Sequence, residues 1–272
     1  MNVNRIERAL HALQESEHAG IAPYVTAGDG GFETTKAVLL ALEAGGATCV
    51  ELGVPFSDPI ADGPVLQAAA ERSLRAGTTL TKILAMVRDL RRTGCVLPIA
   101  LFSYANPLYS MGWRNAAKAS REAGVDGWLV PDIVPFQGVD MQCHAEAEGL
   151  VCVHFAAPTS SPERIASAAQ ASRGFLYAIG RLGVTGGNTS LDANTLDFLR
   201  SLRAKTTMPI GVGFGLRTAE QVTAVTQHAE LAIVGSAFVE RLRARFDKTQ
   251  SPGAVAEEAH SYLSELSQGL LP

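Results

Sequence analysis

Two carboxylates lying close together in the chain are the strongest candidates for chemistry. In Thr48-Cys49-Val50-Glu51-Leu52-Gly53-Val54, strand alternation puts Cys49, Glu51 and Gly53 on one face and Val50, Leu52 and Val54 on the other. The aliphatic face belongs against helices, so Glu51 points inward, where burial raises a carboxyl toward the range useful in general acid–base work. The loop that follows, Pro55 to Pro64, holds three prolines and the two aspartates Asp58 and Asp62 within ten residues. Prolines restrict the backbone and so hold those aspartates in defined places. Structural roles compete at both positions: Glu51 paired with an arginine, and Asp62 capping a helix that starts near Pro64.

Three glycine-bearing turns suggest what such a site would hold. They are Arg181-Leu182-Gly183-Val184-Thr185-Gly186-Gly187, Gly211-Val212-Gly213-Phe214-Gly215 and Val234-Gly235-Ser236-Ala237. Glycine lets backbone N–H groups approach an anion, and a helix N-terminus behind them adds a favourable dipole. A phosphate-bearing substrate held by backbone dipoles follows from them. Other chemistries fall away. The five lysines (Lys36, Lys82, Lys118, Lys205, Lys248) sit in helical or connecting segments, which argues against a Schiff base. The six histidines are scattered and only His154 is on a strand, on its helix-facing side, so no metal site is expected. There is no Gly-x-Ser-x-Gly elbow and no Walker A loop.

The elements that must position these groups alternate between two kinds. Short β-rich runs begin near Ile21, Thr48, Leu97, Gly127, Leu150, Gly174, Pro209 and Glu230, with helical periods such as Glu33–Glu43, Leu80–Leu90, Ala116–Ala123 and Thr218–Thr226 between them. Helix starts are expected at Thr34 or Thr35, at Ser161 before Pro162, and at Thr218. Eight βα units in 272 residues give about 34 residues per unit, the spacing of a (β/α)₈ TIM barrel. The expectation is an α/β fold with an extra N-terminal helix (Ile6, Ala9, Leu10 and Leu13 on one face) and a single domain over residues 1–272. Catalytic groups would lie at the C-terminal ends of the strands. Tyr24, Phe102, Leu129, Phe155, Tyr177 and Ile233, from different strands, would line a flat apolar slot there.

Composition bounds the partners. Lysine and arginine total 23 against 27 acidic residues, a formal charge of −4, which argues against nucleic-acid or membrane-surface binding. Without a secretory h-region or a long apolar run, the expected location is cytoplasmic. The four cysteines (Cys49, Cys95, Cys143, Cys152) form no C-x-x-C pair and are expected reduced and buried.

The run Glu51-Leu52-Gly53-Val54-Pro55-Phe56-Ser57-Asp58-Pro59-Ile60-Ala61-Asp62-Gly63-Pro64 resembles the signature of the tryptophan synthase alpha chain family. Further matches are Tyr24-Val25-Thr26-Ala27-Gly28-Asp29, Tyr104-Ala105-Asn106-Pro107, Gly183-Val184-Thr185-Gly186, Gly213-Phe214-Gly215 and Gly235-Ser236. The resemblance implies retro-aldol cleavage of indole-3-glycerol phosphate to indole and glyceraldehyde 3-phosphate. It implies Glu51 as general acid/base, Asp62 stabilising the indolenine cation, and Tyr177 and Thr185 in support. Gly186, Gly213, Phe214, Gly215, Gly235 and Ser236 would form the phosphate cradle. The implied partner is a beta chain in an α₂β₂ tetramer, docking near Tyr104, Asn106, Pro107 and Asp132. No cofactor is implied for this chain, and pyridoxal phosphate is implied for the beta chain. The sequence departs from the family's habit at Gly180 and at Val134, Phe136 and Gln137. A free-standing lyase and a non-catalytic regulatory subunit are the alternatives.

Overall fold

The computed structural model describes residues 3–180, 193–213 and 215–270. Its first part runs α1 (Arg5–Ser16), β1 (Gly20–Thr26), α2 (Phe32–Ala44), β2 (Val50–Gly53), α3 (Pro64–Arg75), α4 (Leu80–Arg92) and β3 (Ile99–Phe102). It continues through α5 (Ala105–Met111), α6 (Trp113–Ala123), β4 (Gly127–Leu129), α7 (Val139–Ala147), β5 (Val151–Val153), β6 (Phe155–Ala156) and α8 (Pro162–Ala171). The last part holds β7 (Leu176–Ile179), α9 (Ala193–Arg203), β8 (Ile210–Gly213), α10 (Ala219–Thr226), β9 (Leu231–Val234), α11 (Ser236–Thr249) and α12 (Pro252–Ser267).

All the strand pairs are parallel, in the order β5-β4-β3-β2-β1-β9-β8-β7-β6. The two outermost strands, β5 and β6, are halves of one segment interrupted at His154, so the sheet curls round to meet itself as a nearly closed barrel. The eight expected strands are therefore present, with the fifth broken in two. At the break the His154 N–H turns to Ser172 Oγ at 3.0 Å, while its carbonyl accepts the Tyr177 N–H at 3.0 Å. The imidazole is buried on the helix side, 3.3 Å from Gln142 Oε1 on α7, and burial lowers its pKa. This is the structural histidine that alternation predicts.

The strand faces sort as the pattern requires. Val50, Leu52 and Val54 join the core between sheet and helices, while Cys49, Ala100, Val153 and Phe175 fill the barrel interior. Helix α1 completes that interior from below. Asn4 caps it by accepting the Ile6 N–H at 2.9 Å, and its amide donates to the Asp126 and Gly149 carbonyls, just ahead of β4 and β5. Ile6 and Leu10 are thereby inserted among the inward strand residues, closing the N-terminal mouth.

Two local expectations are corrected. Helix α2 starts at Gly31, not at Thr34 or Thr35. Gly31 has φ 93°, a conformation that favours glycine, and the two threonine hydroxyls fold back onto the Gly30 and Gly31 carbonyls inside the first turn. Cys143 is exposed on α7, whereas Cys49, Cys95 and Cys152 are buried and all four are free. The starts at Ser161 and Thr218 are as expected, and Thr218 forms a reciprocal capping box with Gln221.

Because Ile6 is fully buried among residues of several strands, its truncation leaves a cavity that no single element can collapse into. Ile6→Ala is expected to cost about 2–5 kcal/mol, read in urea denaturation as a lower midpoint at an unchanged slope.

Candidate active site

At the C-terminal ends of the strands lies a cavity of about 550 Å³. Glu51 enters it from the middle of β2, between Tyr24 of β1 and Ala100 of β3 in register. Its flanking residues Val50 and Leu52 are committed to the helix side, so the carboxyl has no route outward. It is 2% exposed, and its Oε1 has no hydrogen-bond partner. Burial pushes the carboxyl up to about 8, and no cation among the described residues relieves it. The competing role, a structural ion pair, is absent among the described residues.

Two phenols wall this carboxyl. Tyr24 crosses Gly53, where a Cβ would fall 1.9 Å from its hydroxyl, and Tyr177 crosses Gly213, where a Cβ would fall 2.6 Å away. The strand-end glycines are thus the space the tyrosines occupy. Phe102 packs edge-on against Tyr24 at 5.6 Å and against Phe155 at 6.1 Å, and Phe155 lies 4.9 Å from Tyr177. An apolar slot of aromatic rings and Ile233 results, wide enough for a flat ring system. Leu129, expected in this lining, is not part of it. It is fully buried in the barrel interior with Ala100 and Val153.

Asp62 reaches the cavity from the loop between β2 and α3. Helix α3 is capped by Gly63 with no side-chain hydrogen bond, so Asp62 is not spent as a cap. Partial burial pushes its carboxyl up to about 6, and a hydrogen bond from the Tyr104 hydroxyl opposes that rise. Asp58 does not line the cavity; its carboxylate accepts a bond from Ser57 at 2.5 Å. Of the two loop aspartates, only Asp62 faces Glu51's chamber.

The far end is formed by Gly213, Gly215, Gly235 and Ser236. Gly235 caps α11 without a side chain, so the helix presents its N-terminal amides there with no competing side-chain acceptor. No lysine, arginine or histidine lines the cavity among the described residues. Thr185, Gly186 and Phe214 lie outside the described residues. Gly180 lines the cavity beside Ile179, and so do Leu66, Pro131, Ala157 and Pro158, which sequence reasoning did not pick out. Their signal was only their place just after strands or, for Leu66, in the first turn after the aspartate loop. Among the expected partner-facing residues, Asn106 is exposed, Pro107 is half-buried, and Asp132 accepts the Ala105 N–H at 2.9 Å. Tyr104 differs from expectation: it is 3% exposed and turned inward onto Phe56 and the Asp62 loop.

The family model described as tryptophan synthase alpha chain matches residues 10–268. The chain belongs to that family. The Laribacter hongkongensis tryptophan synthase alpha chain is 40% identical over 242 residues, covering 89% of this chain and 92% of that one. The Synechococcus elongatus alpha chain is 43% identical over 239 residues, covering 88% and 90%. Among solved structures, tryptophan synthase subunit alpha from Legionella pneumophila superposes with a TM-score of 0.88 at 32% identity, covering 98% of each chain. A chain of the tryptophan synthase a2b2 complex of Pyrococcus furiosus gives 0.83 at 34% identity, covering 91% and 97%. As a family member the chain is a lyase that cleaves indole-3-glycerol phosphate.

A carboxyl held near 8 by burial binds a proton in the folded protein that the unfolded chain has already lost above about pH 4.3. Stability therefore falls as pH rises from that value to about 8 and is level above it. Glu51→Gln carries no such titration. The melting temperature of the variant, relative to the native protein, is expected to rise steadily from pH 5 to pH 8. A constant difference across that range would mean that Glu51 titrates normally.

Proposed function

We propose that Glu51 and Asp62 divide the acid–base work of the cleavage. The observation that carries this reading is a pair of carboxyls in one chamber, at about 8 and about 6, on either side of neutrality. At pH 7 Glu51 is mostly protonated and Asp62 mostly ionised. Breaking the bond between indole C3 and the glycerol carbon first needs a proton at C3. Glu51 donates it, and the ring becomes an indolenine cation. Asp62 accepts the indole N–H and stabilises that positive charge as it develops. The Glu51 carboxylate then takes the proton of the adjacent glycerol hydroxyl. The C–C bond breaks, its electrons return to the ring, and indole and the aldehyde of glyceraldehyde 3-phosphate are left. Glu51 finishes protonated, so the cycle balances without a cofactor in this chain.

The aromatic slot takes the indole ring, with Tyr177 against Glu51, and the amides at Gly213, Gly215, Gly235 and Ser236 take the phosphate. Thr185, Gly186 and Phe214 are assigned to the same site on the resemblance alone. The partner in this reading is a pyridoxal-phosphate-dependent beta chain in an α₂β₂ tetramer. The a2b2 assembly of the Pyrococcus furiosus relative supports it, as do the exposed Val134, Phe136 and Val139 on the segment after β4, Phe136 being 67% exposed. No helix among the described residues is long and apolar enough to cross a membrane, and a single-domain cytoplasmic enzyme accords with that.

The activity test is indole release across pH. The profile of kcat/KM should be a bell, falling below about 6 as Asp62 takes a proton and above about 8 as Glu51 loses one. Glu51→Gln and Asp62→Asn should each lower kcat by about 10²–10⁴ with KM little changed. A loss confined to KM would assign either residue to ground-state binding instead. The cradle is tested separately by Gly235→Val, which should raise KM for the phosphorylated substrate several-fold by crowding the amides. Unchanged inhibition by inorganic phosphate in that variant would place the anion elsewhere.

A further inference from the structure

The loop that carries Asp62 is weakly tied to the barrel. Ile60 is 83% exposed, and the loop's own bonds are local turns, Ile60 N–H to Asp58 and Asp62 N–H to Pro59. Gln67 adds a bond to the Asp62 carbonyl, but from α3, the helix the loop leads into. Between Pro55 and Gly63, among the described residues, the backbone bond that reaches another part of the barrel runs from Ala61 N–H to the Tyr104 hydroxyl, at 2.9 Å.

Tyr104, by contrast, is fixed from every side. It follows β3 directly and caps α5. Its carbonyl accepts from Ser103 Oγ at 2.9 Å, and the next N–H, of Ala105, is held by the Asp132 carboxylate. Its ring packs on Phe56, with centroids 5.5 Å apart, at the opposite end of the Asp62 loop. A buried phenol needs partners for its oxygen and for its proton. The oxygen takes the Ala61 N–H at 2.9 Å, which leaves the proton free for the Asp62 carboxylate, whose pKa the phenol lowers.

We propose that Tyr104 is a positioning residue for the cleavage: its hydroxyl pins the Asp62 loop through the Ala61 N–H and aims the Asp62 carboxylate into the cavity. The inference rests on the reading of Asp62 given above. The electrostatic surroundings agree with it. Among the described residues, the titratable groups facing Asp62 are Glu51 and Tyr24 from β2 and β1, Tyr177 from β7 and Tyr104 itself, with Asp132 behind Tyr104. None is a cation, so the phenol is the donor among them that favours the ionised aspartate.

Tyr104→Phe keeps the ring and its packing on Phe56 and removes only the hydroxyl. Indole release should fall about 10-fold in kcat at pH 7, the size of one lost hydrogen bond to a charged group, with KM within about twofold. The acidic limb of the kcat/KM profile should move to higher pH, because Asp62 loses the interaction that holds its pKa down. The same substitution in an Asp62→Asn background, followed in single-turnover reactions, should have no further effect. A merely structural role would lower activity equally in both backgrounds and leave the acidic limb in place, and either result overturns the proposal. A fully active Asp62→Asn would overturn the reading of Asp62, and this proposal with it. An Asp62-dependent enzyme indifferent to Tyr104→Phe would overturn the proposal alone.

Discussion

The structure depends on keeping one ionisable side chain dry. Glu51 sits on the inward face of β2 because the neighbouring aliphatic residues are committed to the helices, and a closed barrel leaves an inward side chain no way out. The surrounding sheet makes that arrangement tolerable. Rows of apolar residues above and below dominate the core, and the unpaired carboxyl meets its desolvation by keeping its proton rather than by finding a cation. An arginine at its side would stabilise the fold and remove the acid. Among the described residues none stands there, and the chamber's aromatic walls and small strand-end residues accord with that.

The second carboxylate is held by a different principle. Asp62 belongs to a proline-stiffened loop, and its orientation depends on a few hydrogen bonds instead of a packed core. Rigid and adjustable parts of the chamber are thus separate. The acid is set by the strands. Asp62 is set by a loop whose anchor, Tyr104, precedes Ala105, and the Ala105 N–H is held by Asp132, two residues before the exposed Val134.

Much of this was legible in the sequence because period-two alternation is a strong signal in strands buried on both faces. The aliphatic triplet Val50, Leu52 and Val54 determined the side on which Glu51 lies, and the same logic put His154 against the helices. The barrel followed from the spacing of eight strands, although the interruption at His154 carried no compositional mark. Reach into the cavity was harder to read. Leu129 and Phe102 have the same inward parity and end their strands in register, yet only the larger Phe102 ring reaches the cavity. Tyr104 misled for a related reason: a residue just past a strand can turn outward to a partner or inward to a loop, and only the position of the Asp62 loop decides which. The threonines of α2 illustrate how a glycine with positive φ overrides a plausible cap.

The chamber is also assembled from the two ends of the polypeptide. Glu51 and Asp62 come early, Gly235 and Ser236 almost last, and β1 lies between them, paired with β2 through Tyr24 and Glu51 and with β9 through Pro23 and Val234. A chain still on the ribosome, lacking β9, leaves one edge of β1 open to water. Glu51 then lacks the closed interior whose burial raises its pKa, and no amide cradle stands opposite. The raised pKa of Glu51 therefore depends on the docking of β9 against β1, so the buried carboxyl and the pocket around it are completed together.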